Sequence, residues 1–238
     1  MEYKRYAAVV LSAGRGSRMN ANIPKQYLML GAHPVIYYSL KAFENSAVED
    51  IILVTGSEDV EFCQKEIVDK YGLTKVRAVV PGGEQRYHSV FCGLEELKKR
   101  GGQPDYVMIH DGARPFVDQA MIERCAKAVK QDQACVAGMP VKDTIKIADD
   151  CQFAKETPKR SHVWQVQTPQ AFAFSMIYDA YQKLLHREEQ GEALSITDDA
   201  MVVETVLGEK VRLVEGSYEN LKITTPEDLK IAELFLRE

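Results

Sequence analysis

Tyr6-Ala-Ala-Val-Val-Leu11, followed at once by Ser12-Ala-Gly-Arg-Gly-Ser-Arg-Met19, decides the fold of this chain. Six apolar residues are too few for a buried helix, a signal-peptide core or a membrane span, and they stop at a glycine-rich turn. They read as a strand buried on both faces. Similar runs recur at Ile51-Ile-Leu-Val-Thr55, Val76-Arg-Ala-Val-Val80, Tyr106-Val-Met-Ile109, Ala134-Cys-Val-Ala-Gly138 and Val211-Arg-Leu-Val214. Helical spacing fills the gaps over Pro34 to Phe43, Asp59 to Tyr71, Arg86 to Lys99 and Asp118 to Val129, with Asp118 placed to cap. Strand and helix in alternation indicate βαβ units, hence a mostly parallel α/β sheet with right-handed crossovers.

The stretch from Pro140 to Trp164 breaks this rhythm, being polar and weakly periodic, and reads as a β-excursion in the form of a hairpin arm. Three helices follow: Ala173 to Arg187, Thr197 to Leu207, and a last one capped by Thr225 with Pro226 in its first turn and Asp228 three residues on. Its apolar stripe comprises Leu229, Ile231, Ala232, Leu234, Phe235 and Leu236. The expected organisation is one domain over 1–238, with 140–164 as the arm.

Composition narrows the function classes. The chain has 238 residues, 45 % of them hydrophobic, enough for a substantial core without staples. Its net charge of −5 argues against non-specific binding to nucleic acid, which depends on neutralised phosphates, but leaves room for a basic cleft. Five widely spaced cysteines with no CxxC argue against a disulfide framework or a zinc ribbon. The expectation is a soluble, cytoplasmic protein with no membrane or nucleic-acid partner.

In parallel α/β sheets ligands sit beyond the carboxyl ends of the strands, so the chemistry is sought there. After the first strand, Gly14 and Gly16 admit close backbone approach to a phosphate, while Arg15, Arg18 and Lys25 can neutralise it. The pattern is neither a Walker A loop nor GxGxxG, and its bland alternative is an ordinary surface turn. After the third strand, Gly82-Gly83 can face a flat ring or a phosphate, with Arg86 or Ser89 adding a polar contact. The fourth strand ends in His110-Asp-Gly-Ala-Arg-Pro115. Asp111 is the candidate for a magnesium ion shared with substrate phosphates, Arg114 an ion-pair partner or loop brace, and His110 equally well a packed core histidine. Further candidates are Asp143 and Thr144, Arg160 in the arm, the Gln167-Thr-Pro-Gln170 segment, Thr197-Asp-Asp199 and Lys222, each taken alone more simply structural. No nucleophile–base pair is evident. A phosphate cradle, one metal carboxylate and spare cations suit phosphoryl or nucleotidyl transfer, which is mostly positioning and charge stabilisation. From the residues themselves the reading stops at a phosphate- or nucleotide-using α/β enzyme.

These segments resemble the 2-C-methyl-D-erythritol 4-phosphate cytidylyltransferases of the non-mevalonate isoprenoid pathway. The likeness runs from Val10-Leu-Ser-Ala-Gly-Arg-Gly-Ser-Arg-Met19 through Pro81-Gly-Gly-Glu-Gln-Arg86, His110-Asp-Gly-Ala-Arg-Pro115, Pro140-Val-Lys-Asp-Thr-Ile-Lys146 and Gln167-Thr-Pro-Gln-Ala-Phe172 to Asn220-Leu-Lys-Ile-Thr-Thr-Pro-Glu-Asp-Leu229. It implies a three-layer Rossmann-like nucleotidyltransferase fold with a protruding β-arm. It also implies transfer of a cytidylyl group from CTP, with Mg2+, to methylerythritol phosphate, releasing pyrophosphate. Carried over, Ala13, Gly14, Gly82, Gly83 and Ser89 would hold the cytidine, and Arg18 and Lys25 would bind the triphosphate and stabilise the transition state. Asp111 would coordinate the magnesium and Lys222 would contact the α-phosphate. Thr144, Arg160, Thr168 and Thr197 would hold the sugar phosphate, with Arg160 reaching the neighbour's site in a homodimer that exchanges arms. Position 12 is Ser where this loop commonly has Ala. Ribitol 5-phosphate cytidylyltransferases share the CTP half-site and are the alternative; a non-catalytic nucleotide-binding protein is the alternative of another class.

Overall fold

The computed structural model describes residues 3–14, 23–101, 103–192 and 195–236. Arg15 and Arg18, expected at the phosphate site, lie outside them.

Strand β1 (Tyr6–Ser12) leads to a 3-10 turn at Lys25–Tyr27, a small ribbon of β2 (Met29–Leu30) and β3 (His33–Pro34), and helix α1 (Val35–Glu44). Then come β4 (Asp50–Thr55), α2 (Val60–Phe62) running on as a π-helix over Cys63–Asp69, β5 (Val76–Pro81) and α3 (Arg86–Lys99). The centre continues with β6 (Tyr106–Asp111), α4 (Gln119–Asp132) and β7 (Ala134–Pro140). The arm is an antiparallel pair, β8 (Ile147–Ala148) and β9 (Ala154–Glu156). The chain closes with β10 (Trp164–Ala173), α5 (Phe174–Glu189), α6 (Asp199–Val202) with a π-helical extension over Val203–Leu207, β11 (Arg212–Glu215) and α7 (Pro226–Phe235).

The main sheet has the order β11-β7-β10-β6-β1-β4-β5. All its pairings are parallel except the two made by β10, which runs against both β6 and β7. Continuous apolar runs are explained by helices on both faces. Ala8, Val10, Ile51, Leu53 and Met108 face a layer containing α1 and α4. Ala7, Val9, Ile52, Val54, Val107 and Ile109 face α3, α5 and α6 through Val90, Leu94, Ile177, Tyr181 and Val202. This is the expected three-layer, mostly parallel fold with an arm.

Two expectations are corrected. The Gln167–Gln170 segment is not a loop but the middle of β10, an inserted antiparallel strand that the sequence reading missed. Proline is tolerated there because the ladder with β7 shifts register between Val166 and Gln170, around the cis Thr168–Pro169 bond. The stripe on α7 is only partly buried: Ala232 is enclosed, whereas Ile231, Leu234 and Leu236 are exposed. That helix packs on a small satellite core of Leu30, Val35 and Ile223, too narrow to cover six apolar side chains.

Candidate active site

The chain leaves β1 for β4 and β5 on one side and returns to β6 on the other. At this switch the loops after β1 and β6 diverge and open a crevice at their carboxyl ends. A cavity of about 240 Å³ lies there, lined by Ala13 and Gly14 after β1, Lys25 and Gln26 of the 3-10 turn, Gly83, Arg86 and Ser89 at the start of α3, Asp111 at the end of β6, and Lys222. A wider hollow of about 1010 Å³ shares Ala13, Gly14 and Gly83 with it and adds Gly82. Candidates from well-separated segments of sequence are thus neighbours.

Local bonding explains why they hold their places. Gln26 is buried and donates through Nε2 to the carbonyls of Ser12 and Gly14, the latter at 3.0 Å, so the first loop is tied to the turn that carries Lys25. The Ser12 hydroxyl donates to Tyr27 Oη at 3.2 Å, and Tyr27 also meets Thr55 Oγ1 at 2.5 Å. Position 12 therefore braces the loop from behind. A Cβ on Gly82 would stand 2.6 Å from Ser89 Oγ and 2.8 Å from Ala13 Cβ, so only glycine lets β5 end against the first loop. Ser89 Oγ accepts from the Gly83 amide at 3.1 Å and pins the same turn.

Asp111 is the electrostatic centre. Its Oδ2 lies 2.8 Å from Lys222 Nζ and 3.8 Å from Arg114 Nε, and its Oδ1 lies 3.3 Å from Arg86 Nε. Burial pushes the carboxyl up, but Arg86, Lys222 and Arg114 outweigh it and hold it well below the usual carboxylate range. Behind it runs a fully committed chain of hydrogen bonds. The Asp111 amide donates to Thr168 Oγ1 at 3.1 Å, and Thr168 meets His110 Nδ1 at 3.0 Å. His110 Nε2 reaches the Arg114 carbonyl at 3.2 Å, so it is the protonated nitrogen and Nδ1 accepts from Thr168. Burial lowers the His110 pKa to about 4. His110 is a neutral brace, and Thr168 sits behind Asp111 with its hydroxyl already occupied.

The arm candidates are placed elsewhere. Thr144 is exposed, and Arg160 is exposed with Nη1 on the Lys142 carbonyl at 3.2 Å. Thr197 is exposed ahead of α6. None of the three lines the cavity. Sequence reasoning overlooked Gln26, whose place beside the proline and lysine was its only signal, and the partnership of Arg86 with Asp199. Arg86 Nη1 and Nη2 each lie 2.8 Å from one oxygen of the fully buried Asp199, which also accepts from Tyr181 Oη at 2.5 Å.

The donors fit a magnesium ion shared with bound phosphates better than a metal held by protein alone. Two acidic residues, Asp111 and Glu84, line the cavity, and sites that share the ion with phosphates use only one or two carboxylates. Among the described residues no cluster of three or more His, Cys, Asp or Glu side chains could hold an ion unaided.

Comparison with known proteins points to one family. The family model of 2-C-methyl-D-erythritol 4-phosphate cytidylyltransferase matches residues 6–238. A protein of that name from Lachnospira eligens is 48 % identical over 231 residues, covering 97 % of this chain and 98 % of its own length. The crystal structure of a 4-diphosphocytidyl-2C-methyl-D-erythritol synthase from Anaerococcus prevotii superposes with a TM-score of 0.84 at 34 % identity, covering 99 % of this chain and 97 % of the other. The Thermus thermophilus 2-C-methyl-D-erythritol 4-phosphate cytidylyltransferase gives 0.72 at 28 % identity, covering 97 % and 98 %.

Proposed function

The chain belongs to the 2-C-methyl-D-erythritol 4-phosphate cytidylyltransferase family, and from that premise we propose that it moves the cytidylyl group of CTP onto 2-C-methyl-D-erythritol 4-phosphate. The products are 4-diphosphocytidyl-2-C-methyl-D-erythritol and pyrophosphate. A phosphate oxygen of the acceptor attacks the α-phosphorus in line, a new P–O bond forms, and the bond to the bridging α–β oxygen breaks with its electron pair leaving on pyrophosphate.

One observation supports this reading above the others: Lys25, Arg86 and Lys222 converge with Asp111 on a glycine-walled cavity in a protein of net charge −5. Cations gathered at one crevice suit two phosphorylated substrates that repel each other. A phosphate monoester has its second pKa near ~6, so the acceptor is already a competent anion at neutral pH and no protein base is needed. The absence of a nucleophile–base pair in the sequence is consistent with that.

Ala13, Gly14, Gly82 and Gly83 would hold the nucleoside through backbone and close packing, with Ser89 keeping their turn in shape. Lys25 and Arg18 would neutralise the triphosphate as charge builds on the leaving group. Asp111 would hold a magnesium ion, which when bound polarises the phosphates. Lys222 would turn from Asp111 toward the α-phosphate. The acceptor would lie toward Thr144, Arg160, Thr168 and Thr197, with Thr168 acting through Asp111.

Thr144 and Arg160 fail to reach the cavity in a single chain, and the arm exposes Ile147 and Phe153. Both features support a homodimer in which each arm completes its neighbour's site. Lys25→Ala tests the assignment by steady-state kinetics with CTP. Loss of a charge needed most in the transition state lowers kcat about 100-fold, with a much smaller rise in KM. A rise in KM alone contradicts it.

A further inference from the structure

We propose that Arg86, clamped by Asp199 and Tyr181, is a positioning residue that sets the orientation of the Asp111 carboxylate; the inference rests on the functional reading above. Three elements meet at this guanidinium: the first turn of α3, the end of β6 and the start of α6. Its two Nη atoms are spent bidentately on Asp199, both at 2.8 Å, and Tyr181 Oη fixes Asp199 Oδ1 from the other side at 2.5 Å. Asp199 is fully enclosed, so this end of the clamp does not face the substrate.

Of the N–H groups left over, the one on Nε points sideways to Asp111 Oδ1 at 3.3 Å. Because the guanidinium is planar and its fork is already locked, Nε has one direction available. It holds one oxygen of Asp111 and leaves the other to Lys222, 2.8 Å away. A bridge serving only to tie α3 to α6 would be complete with Asp199; the contact with Asp111 carries the same guanidinium to the carboxylate at the end of β6. Lysine cannot replace this arrangement, since a single ammonium cannot make the fork and the side contact together.

The clamp is tested with Arg86→Lys, Asp199→Asn, Tyr181→Phe and the combined Arg86→Lys/Asp199→Asn protein. Three quantities are read for each: kcat and KM for CTP, the affinity of the CTP-bound protein for Mn2+ by electron paramagnetic resonance, and the thermal midpoint. Partners of ligating groups typically carry 10–100-fold effects. The expected result is a fall of roughly that size in kcat and in Mn2+ affinity for Arg86→Lys and Asp199→Asn, with the CTP KM changed less than about threefold. Tyr181→Phe shows the same pattern at several-fold. The combined protein is no worse than its poorer parent, because both changes undo the same placement.

Wild-type kcat and Mn2+ affinity in folded Arg86→Lys and Asp199→Asn, with only the midpoint lowered, would overturn the proposal. So would losses that multiply in the combined protein. If Asp199→Asn does not fold, Arg86→Lys and Tyr181→Phe decide by the same criteria. If the wild type makes no product from CTP with any acceptor, the functional reading fails, while Mn2+ affinity across the variants still decides the clamp.

Discussion

At the scale of single residues, the site depends on keeping one acid charged and its neighbour in sequence neutral. Asp111 is surrounded by three cations and stays ionised far into acid; His110, one residue earlier, is buried against Phe43 and stays neutral. These states predict how stability responds to pH. An unfolded histidine takes a proton near ~6.5, whereas folded His110 takes it only at about 4. Between those values the unfolded chain binds the extra proton, so stability falls as the pH is lowered. At ~1.4 kcal/mol per pKa unit the loss from this group alone approaches ~3 kcal/mol at the acid end. Asp111 acts in the same direction in a lower window, since its contribution is present above the ordinary aspartate range and is lost only in stronger acid. Urea unfolding from pH 7 to 4.5 checks the histidine contribution. His110→Gln can still accept from Thr168 and donate to the Arg114 carbonyl, and it flattens the slope; an unchanged slope contradicts the assignment.

At the scale of elements, the start of α7 fixes the segment that delivers Lys222. Burial works against the ionised Asp228, but hydrogen bonds from Thr224 and Thr225 prevail and hold its carboxyl below the usual range. The Thr224 and Thr225 amides both reach Asp228 Oδ2 at 2.8 Å, and the Ile223 amide bonds to the Ala113 carbonyl at 2.9 Å. Lys222 is thereby held against the Asp111 loop from its C-terminal side. Asp228→Ala removes the capping box and costs about 1 kcal/mol, a drop of roughly 2–4 °C in the midpoint for a chain of this size, read by calorimetry.

This cap was legible in the sequence because all its partners lie within a single turn of chain. So were the six parallel strands and the loops bearing Gly14, Gly83, Lys25, Asp111 and Lys222, since apolar runs and strand ends are local signals. β10 was not legible: Pro169 speaks against a central strand, and only the register shift beside β7 accommodates it. The clamp on Arg86 was hidden for another reason, because Asp199 lies 113 residues away and no local spacing announces it. The width of the α7 stripe misled because periodicity shows which side chains are apolar, not whether a neighbour is broad enough to cover them.

At the scale of the whole molecule, the arm is what a single chain leaves unsatisfied. Residues 142–157 are exposed throughout, with Phe153 72 % accessible at the hairpin. A dimer is therefore expected by sedimentation velocity at micromolar concentration. Phe153→Asp should shift the protein toward monomer and raise the acceptor KM while CTP binding is retained. A wild-type protein that is monomeric yet fully active would contradict the proposal of shared sites.

The claim on which the rest depends is the reaction. The most direct test is pyrophosphate release by the purified protein with CTP and magnesium, run in parallel with 2-C-methyl-D-erythritol 4-phosphate and with ribitol 5-phosphate. Rapid release with the branched acceptor and little with the other is the predicted result. Preference for ribitol 5-phosphate would contradict the acceptor assigned here, and silence with both from folded, CTP-binding protein would contradict the proposed reaction.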